Sequence, residues 1–429
     1  VNDLIIYNQG GVDTFQYGIE IVKPDGTSLG IGKFVSEFNV WESMFAKALQ
    51  FKMGLVDAAG LVAKFGVQTG DVVSLTLALH DNDDGKIVTE FVILSIDDGE
   101  RTDNSQGRTF VMTGLHLSAH LNGLKPVTKS YTGSLDQIVQ QVCADYLNVT
   151  DLDAEPASGT RTLVAPGAKP FDVIGWCCKQ AQNASGDADS LYFFWQTADS
   201  HVFKTLRKTI ADATVWQYTV PVDKNQAGDG TDIWRVLNFK QLKLGHQAQK
   251  VSGGLYENEL LQFNHLNRNI SGSKKNYADQ ANAVSVLRQQ PLADLSQVSN
   301  TWISDQTTSI RGLAAAMKVR SDDAAIEQQN SYQNKYNQAT MQQQLFNQIA
   351  FSIEIYGNPG IRAGDIIEID APELSSVSNK GKDWVLHGQF LVADVRHRVW
   401  HAEHYRTYLT VYADGYDTSV MANPGQNGN

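Results

Sequence analysis

A ten-residue stretch occurs twice in this chain without a gap. Gly66-Val67-Gln68-Thr69-Gly70-Asp71-Val72-Val73-Ser74-Leu75 aligns on Gly360-Ile361-Arg362-Ala363-Gly364-Asp365-Ile366-Ile367-Glu368-Ile369. Downstream, Phe390-Leu391-Val392 echoes Phe91-Val92-Ile93, and Arg406-Thr407-Tyr408-Leu409 echoes Arg108-Thr109-Phe110-Val111. The order is kept and the spacings differ by a few residues. Three matches in order predict one small β-domain used twice, and a repeat sets the architecture before any other reading. Gly70, Asp71, Gly364 and Asp365 are assigned to the repeat itself, shaping the turn into a strand.

With 429 residues the chain is long enough for two to four domains and a sizeable core. Cys143, Cys177 and Cys178 are too few for a disulfide framework and are expected to be reduced thiols of a protein folded in a cytosol. No apolar run reaches the roughly 18 residues of a membrane helix. The segment Val1–Tyr7 lacks the basic lead of a signal peptide. Charge is unevenly placed. Residues 1–123 hold 16 acidic and 8 basic side chains, 351–420 hold 10 and 6, and 124–350 hold 21 of each, so the net −12 falls as −8, −4 and 0. The excess tracks the two repeated regions, which predicts either plain solubility or a surface that repels a polyanion. Specific nucleic-acid capture needs a basic footprint that the totals do not show.

Along the chain, 1–123 is mostly strand and turn. Tyr17–Val22, Phe34–Phe45, Leu49–Leu55, Val73–Leu79, Glu90–Ile96 and Arg108–Leu115 are the predicted strands, with Val73, Leu75, Leu77 and Leu79 alternating along one face. The pattern changes near Gly123. Ser134-Leu135-Asp136-Gln137 is a capping box, followed by Leu135, Ile138, Val139 and Val142 at helical spacing. Pro170 suits the first turn of a second helix. Leu191–Trp195 and His201–Leu206 then predict a hairpin. Ile233–Leu244 and Leu255–Phe263 open a second β-domain, a polar stretch beginning near 270 predicts helices capped at Ser321, and Ala350–Tyr356 resumes the strands. The expected fold class is α+β, β-rich. It comprises a first tube-like antiparallel β-barrel (1–123), a small α/β domain (124–218), a second barrel split into 219–265 and 349–420, a helical insertion (266–348) and a flexible tail (421–429).

Candidate chemistry is weak throughout. His397, His401 and His404 are spaced H-x3-H-x2-H, but on a strand end and a hairpin they do not converge as zinc ligands do. His116 and His120 are likewise separated by a strand end. Gly26-Thr27-Ser28-Leu29-Gly30 has the letters of a nucleophile elbow without its strand-to-helix setting. Cys177-Cys178 is not a C-x-x-C motif, and Cys177 is expected in a helix core. The carboxylates at Asp81–Asp84 and Asp97–Glu100 lack the EF-hand order and are expected at hairpin tips. No catalytic, cofactor or metal residue is assigned.

Gly357-Asn358-Pro359-Gly360-Ile361-Arg362-Ala363-Gly364-Asp365, the strand Phe390–His397 and Arg406–Val411 together resemble the central baseplate hub protein of contractile phage tails. The stretch Phe38–Phe45, Gly54-Leu55-Val56-Asp57 and Gly253-Gly254-Leu255-Tyr256 fit the same family. The resemblance implies a homotrimer whose two barrels per chain make a pseudo-sixfold ring. Such a ring joins the tail tube, or its initiator, to the central spike, contacts baseplate wedge proteins, and lets DNA pass without specific binding. It implies a virion component assembled in the bacterial host cytoplasm, with no enzymatic activity and no cofactor. The hub part of a secretion or injection spike shares the fold and is the alternative, and a tail-associated wall hydrolase is a third reading. An acidic channel lining is the expectation drawn from the charge distribution.

Overall fold

The computed structural model describes residues 15–57, 64–79, 85–97, 107–184, 189–221, 234–245, 253–257, 338–346, 348–373, 381–401 and 404–416, together with short pieces and the backbone of further strands. The first part of the chain forms β1 (Ile5–Asn8), β2 (Thr14–Val22), β3 (Ser28–Gly30), β4 (Val35–Ser43), β5 (Gln50–Asp57), β6 (Val72–Leu79), β7 (Asn82–Arg101) and β8 (Arg108–His116). They pair antiparallel in the order β1-β2-β6-β7-β8-β5-β4, with β3 on the end of β2. Strict alternation drives this. Val73, Leu75 and Leu77 of β6 face inward, and so do Phe15, Tyr17, Ile19 and Ile21 of β2 and Phe51, Met53 and Leu55 of β5. Asp97 and Asp98 lie within β7, paired to Val111 and Phe110, rather than at a hairpin tip. The turn read at Asp81–Asp84 lies largely outside the described side chains.

A helix, Leu117–Leu124, leads into the small α/β unit. There β9 (Ser130–Gly133) pairs with β11 (Arg161–Val164), and β10 (Leu152–Ala154) runs parallel to β13 (His201–Thr205), which pairs with β12 (Tyr192–Gln196). The helix Leu135–Val142 carries the capping box of Ser134 and Gln137, and the helix Pro170–Gln180 has its proline in the first turn. Their apolar faces, Ile138, Val139, Val142, Val173, Ile174 and Cys177, close one core with Phe203. A short helix, Leu206–Asp212, follows β13.

The chain then re-enters the large sheet. β14 (Val215–Thr219) runs parallel to β20 (Ile366–Asp370), so this strand belongs with the second β-unit although it falls inside the stretch expected to be the α/β domain. β15 (Val236–Leu244) and β16 (Glu257–Asn264) come next. β17 (Asn269–Asn276) and β18 (Asn300–Trp302) pair with β16, so a three-stranded sheet stands where helix was expected from 266 onward. The reason is local: Asn269-Ile270-Ser271-Gly272-Ser273 has residues that compete with the helical backbone or cost it entropy. Residues 338–346 are helical, while the Ser321 cap and the tail 421–429 lie outside the described residues.

The second β-unit is completed by β19 (Ile349–Tyr356), β21 (Gly388–Trp400) and β22 (His404–Ala413), in the order β21-β22-β19-β15 with β20 on the other side of β21. Its core holds Ile353, Ile355, Ile367, Ile369, Phe390, Leu391, Leu409 and Val411. The two β-units share one fourteen-stranded sheet, because β4 pairs with β21 from Ser43–Asp394 to Glu37–Trp400. Val399 and Tyr405 of the second unit pack inside the core of the first.

Candidate functional site

The two repeated turns share one backbone geometry. Gly70 has φ +97° and Gly364 φ +107°, a backbone region that strains any residue with a Cβ. The Gly70 N–H donates to Ile93 O at 2.8 Å, and the Gly364 N–H to Val392 O at 2.8 Å. In return the Ile93 N–H donates to Asp71 O at 2.9 Å, and the Val392 N–H to Asp365 O at 2.8 Å. The carboxylates also act alike: Asp71 Oδ2 accepts from the Gln68 N–H at 3.0 Å, and Asp365 Oδ2 from the Arg362 N–H at 2.9 Å. Each strand that follows pairs in the same register, Val72 with Val92 and Ile366 with Leu391. A bulge falls at the same place, passing over Leu94 in β7 and Ala393 in β21. Beyond the bulges, Ser95 faces Thr113 and Asp394 faces Thr410. By that register Met112 corresponds to Leu409, one residue away from the sequence match of Arg108–Val111 with Arg406–Leu409. A one-residue slip exchanges the faces of a strand, so similar letters there do not mean similar places.

The surroundings of the two turns differ. Asp71 is buried with Oδ1 lacking a hydrogen bond, whereas Asp365 Oδ2 also accepts from the Trp216 Nε1–H at 2.9 Å. Burial raises the Asp365 pKa against those hydrogen bonds. A Cβ on Gly70 would meet nothing within 4 Å, but one on Gly364 would lie 3.1 Å from Trp195 Cζ2 and 3.2 Å from Thr209 Cγ2. Both alanine variants strain φ, at about 1–3 kcal/mol. Gly364→Ala is expected to cost about 1 kcal/mol more, because Trp195 is held by its Nε1–H bond to Ala363 O. Thermal unfolding of the two variants reads the difference, and equal losses would mean that Trp195 and Thr209 step aside.

The second turn is also where three parts of the molecule meet. Glu42, on β4, is buried, and its two carboxylate oxygens accept from the backbone N–H groups of Ala363 and Ala198. Arg362 is buried beside it, donating to both oxygens of Asp199 at 2.7 and 3.0 Å and to the carbonyls of Pro359, Ile361 and Lys86. The Ala198–Asp199 hairpin tip belongs to the α/β unit and Lys86 to the first β-unit. One guanidinium therefore ties all three together. Burial pushes the Glu42 carboxyl up to about 8, against the pull of Arg362 and the two N–H donors. Burial works to lower the Arg362 pKa, but the hydrogen bonds to Asp199 and the charges of Glu42, Asp199 and Asp365 raise it on balance. Gly85, at φ +90°, lets the β7 hairpin approach so closely that a Cβ there would lie 2.7 Å from Gly360 Cα. None of Glu42, Asp199 or Trp195 carries a sequence signal for this role. They come together only through the β4–β21 pairing and the placement of the β12–β13 hairpin.

His397, His401 and His404 do not converge. His397 points into the core, where Nδ1 lies 2.8 Å from the Tyr405 hydroxyl and burial holds its pKa down at about 3. His401 and His404 are exposed at the hairpin end, His401 at φ +51°. Among the described residues no group of three or more metal-ligating side chains converges. Gly26 lies in a turn closed by Asp25, and a 3-10 turn rather than an α-helix follows Gly30, so Ser28 is not on a nucleophile elbow. Cys177 is fully buried, and burial pushes the Cys143 and Cys178 thiols up to about 12, which disfavours the reactive thiolate.

A cluster missed by the sequence reading is Ser118, whose Oγ lies 3.0 Å from His116 Nδ1 and 3.2 Å from His201 Nε2. It borders a cleft of about 420 Å³ between the first β-unit and the α/β unit, lined also by Glu90, Asp151 and Asp199. Burial holds His116 down at about 4, and burial with the neighbouring His116 holds His201 at about 3, so both rings are neutral at pH 7. Among the described residues no carboxylate is bonded to either ring, as a serine relay requires. The arrangement binds the two units together across the cleft.

No family model matches the chain, and no curated protein matches its sequence. Solved structures do match in fold. A tail protein from Neisseria meningitidis MC58 superposes with a TM-score of 0.53 at 10% identity, covering 93% of this chain and 97% of that one. The 43 kDa tail protein of prophage MuSo2 from Shewanella oneidensis superposes with a TM-score of 0.54 at 11% identity, covering 94% and 100%. Over nearly its whole length, this β-rich α+β chain has the fold of these two tail proteins.

Proposed function

We propose that this chain is a structural hub of a phage tail baseplate. Three copies form a ring that joins the sixfold tail tube to the threefold central spike and bounds the DNA channel. The observation that carries the reading is the pair of turns at Gly70–Asp71 and Gly364–Asp365, each opening the same strand with the same hydrogen bonds and the same bulge after it. Two such units per chain and three chains give six similar docking surfaces, which is what a threefold object needs to meet a sixfold one. The continuous sheet supports this, since it fixes the two units relative to each other as a single wall. The fold likeness to two tail proteins, one of them from a prophage, is in keeping with it.

In this reading the α/β unit and the segment around β16–β18 face outward, toward wedge and spike proteins. The chain works by shape and not by catalysis. Light scattering on the purified chain tests the assembly, with a particle of three chain masses expected, alone or once a spike or tube partner is added. A stable monomer at high concentration in the presence of both partners would overturn it. Incubation with purified cell wall is expected to release neither sugar nor peptide, and steady turnover would transfer the chain to the hydrolase class.

A further inference from the structure

Charge counted along the chain and charge placed in the fold disagree on one surface. Where β4, β21 and β22 pair, one face of the sheet points away from both cores and carries Arg396, Arg398 and Arg406. Arg398 and Arg406 stand directly opposite each other, an arrangement in which like charges destabilise a sheet. Arg398 is answered by Glu37, at 2.9 and 3.1 Å. Among the described residues neither Arg396 nor Arg406 forms an ion pair, although the Arg396 charge helps to lower the Glu37 pKa. Instead, aromatic rings hold them in place. Arg396 lies 5.4 Å from the Trp41 ring and 5.5 Å from Tyr408, with Nε donating to Asn39 Oδ1 at 2.8 Å. Arg406 lies 4.7 Å from the Tyr356 ring and donates to Tyr405 O at 3.0 Å.

On the same face Lys52 and Lys240 add positive charge. Among the described residues the carboxylates there are Glu37, Glu354, which accepts from the Tyr408 hydroxyl, Asp394, which accepts from Ser43, and Asp97, in register with Glu37 through Gly54 and Val111. The cations outnumber them on a face of a chain whose net charge is −12.

We infer that this arginine stripe is a sequence-independent contact for the phosphate backbone of double-stranded DNA. Guanidinium groups fixed by stacking offer a forked pair of donors to phosphate without further ordering. The strands beneath are paired on both sides, so no free backbone edge is available to a peptide that would dock as an added strand. What remains is recognition by charge alone, which suits a regular polyanion. The inference rests on the hub reading only for where DNA would meet this face. An expected acidic lining would thus be interrupted by a stripe that touches passing DNA lightly.

The test is anisotropy of a labelled 20-bp duplex with the full chain at 50–200 mM salt. If Arg396 and Arg406 each neutralise one phosphate while Glu37 holds Arg398, affinity falls about 12-fold over that range. The double variant Arg396→Gln/Arg406→Gln is expected to lose nearly all of that dependence, and Arg406→Gln alone to keep about 4-fold of it. The control Lys33→Gln/Lys125→Gln removes the same charge elsewhere and is expected to behave as the parent. No binding at 50 mM salt, unchanged salt dependence in the double variant, or equal competition by polyglutamate would each overturn the assignment, the last in favour of an acidic protein partner. Light scattering on the same samples keeps the two readings apart: DNA binding by a chain that forms no ring would leave the stripe and remove the hub.

Discussion

Arg362→Ala is expected to destabilise the protein by about 3–5 kcal/mol at pH 9, the cost of leaving a buried charge without its partner. At pH 6 the loss is expected to be smaller, about 1–3 kcal/mol, the value of the hydrogen bonds to Asp199 and the three carbonyls. The difference comes from Glu42. Its carboxyl sits near pKa 8 in the folded protein and near 4.5 when unfolded, so the folded state holds a proton that the unfolded state has released. Stability from that proton is complete below about 4.5 and is lost as pH climbs through 8. Removing Arg362 takes away the charge that favours the ionised form. The folded pKa then rises further, and the alkaline loss deepens. Denaturation of parent and variant at pH 6 and pH 9 reads the two differences. Adding Glu42→Gln to the variant is expected to remove the share of the pH dependence that Glu42 supplies, leaving at this site only that of Asp365, whose pKa burial also raises. Equal losses at the two pH values, or an unchanged slope in the double variant, would show that Glu42 and Arg362 are not coupled.

Most strands were legible because each is long enough to show its own period. Val73, Leu75 and Leu77 alternate, and the structure buries those three. The helix starts were legible for a similar reason, since Ser134 with Gln137 and Pro170 are local chemical signals. The Gly70–Asp71 and Gly364–Asp365 turns were visible as letters. Their shared hydrogen bonds follow from a φ that glycine alone takes without strain.

What stayed hidden is whatever two distant segments make together. Nothing in Phe38–Ser43 announces that β4 pairs with a strand some 350 residues later, yet that pairing fuses the two β-units and lays Arg396 beside Trp41. Glu42 reads as an ordinary strand glutamate until Ala198 and Ala363 turn their N–H groups onto it. Net charge misled for the same reason: summing along the chain averages over faces that the fold separates. The polar segment after 266 was misjudged because polarity alone excludes neither a strand nor a helix, and Asn, Ser and Gly there favour neither strongly.

Gly357→Ala is expected to be among the most damaging single changes in the chain. A Cβ there would fall 2.0 Å from Tyr405 Cδ1 and 2.1 Å from Cγ, inside the ring's own volume. The ring cannot swing clear. It is fully buried in the first unit's core, 5.4 Å from the Phe15 ring, with its hydroxyl tied to His397 Nδ1 at 2.8 Å. The glycine cannot retreat freely either, because the next residue's N–H donates to Thr407 Oγ1 at 3.0 Å. Overpacking by one carbon commonly costs about 1–3 kcal/mol where side chains give way. Here neither partner can, so the loss is expected to exceed about 3 kcal/mol and to appear as insoluble expression or a greatly lowered melting temperature. Gly123→Ala provides the contrast. That glycine lies in the helix Leu117–Leu124 with nothing within 4 Å of a Cβ, so alanine is expected to be neutral or stabilising by up to about 1 kcal/mol. Because Tyr405 comes from the second unit and fills the core of the first, damage at Gly357 is expected to unfold both together. A variant that melts in two separate steps, or one that melts with the parent, would show that the seam between the units is looser than the shared sheet and shared core require.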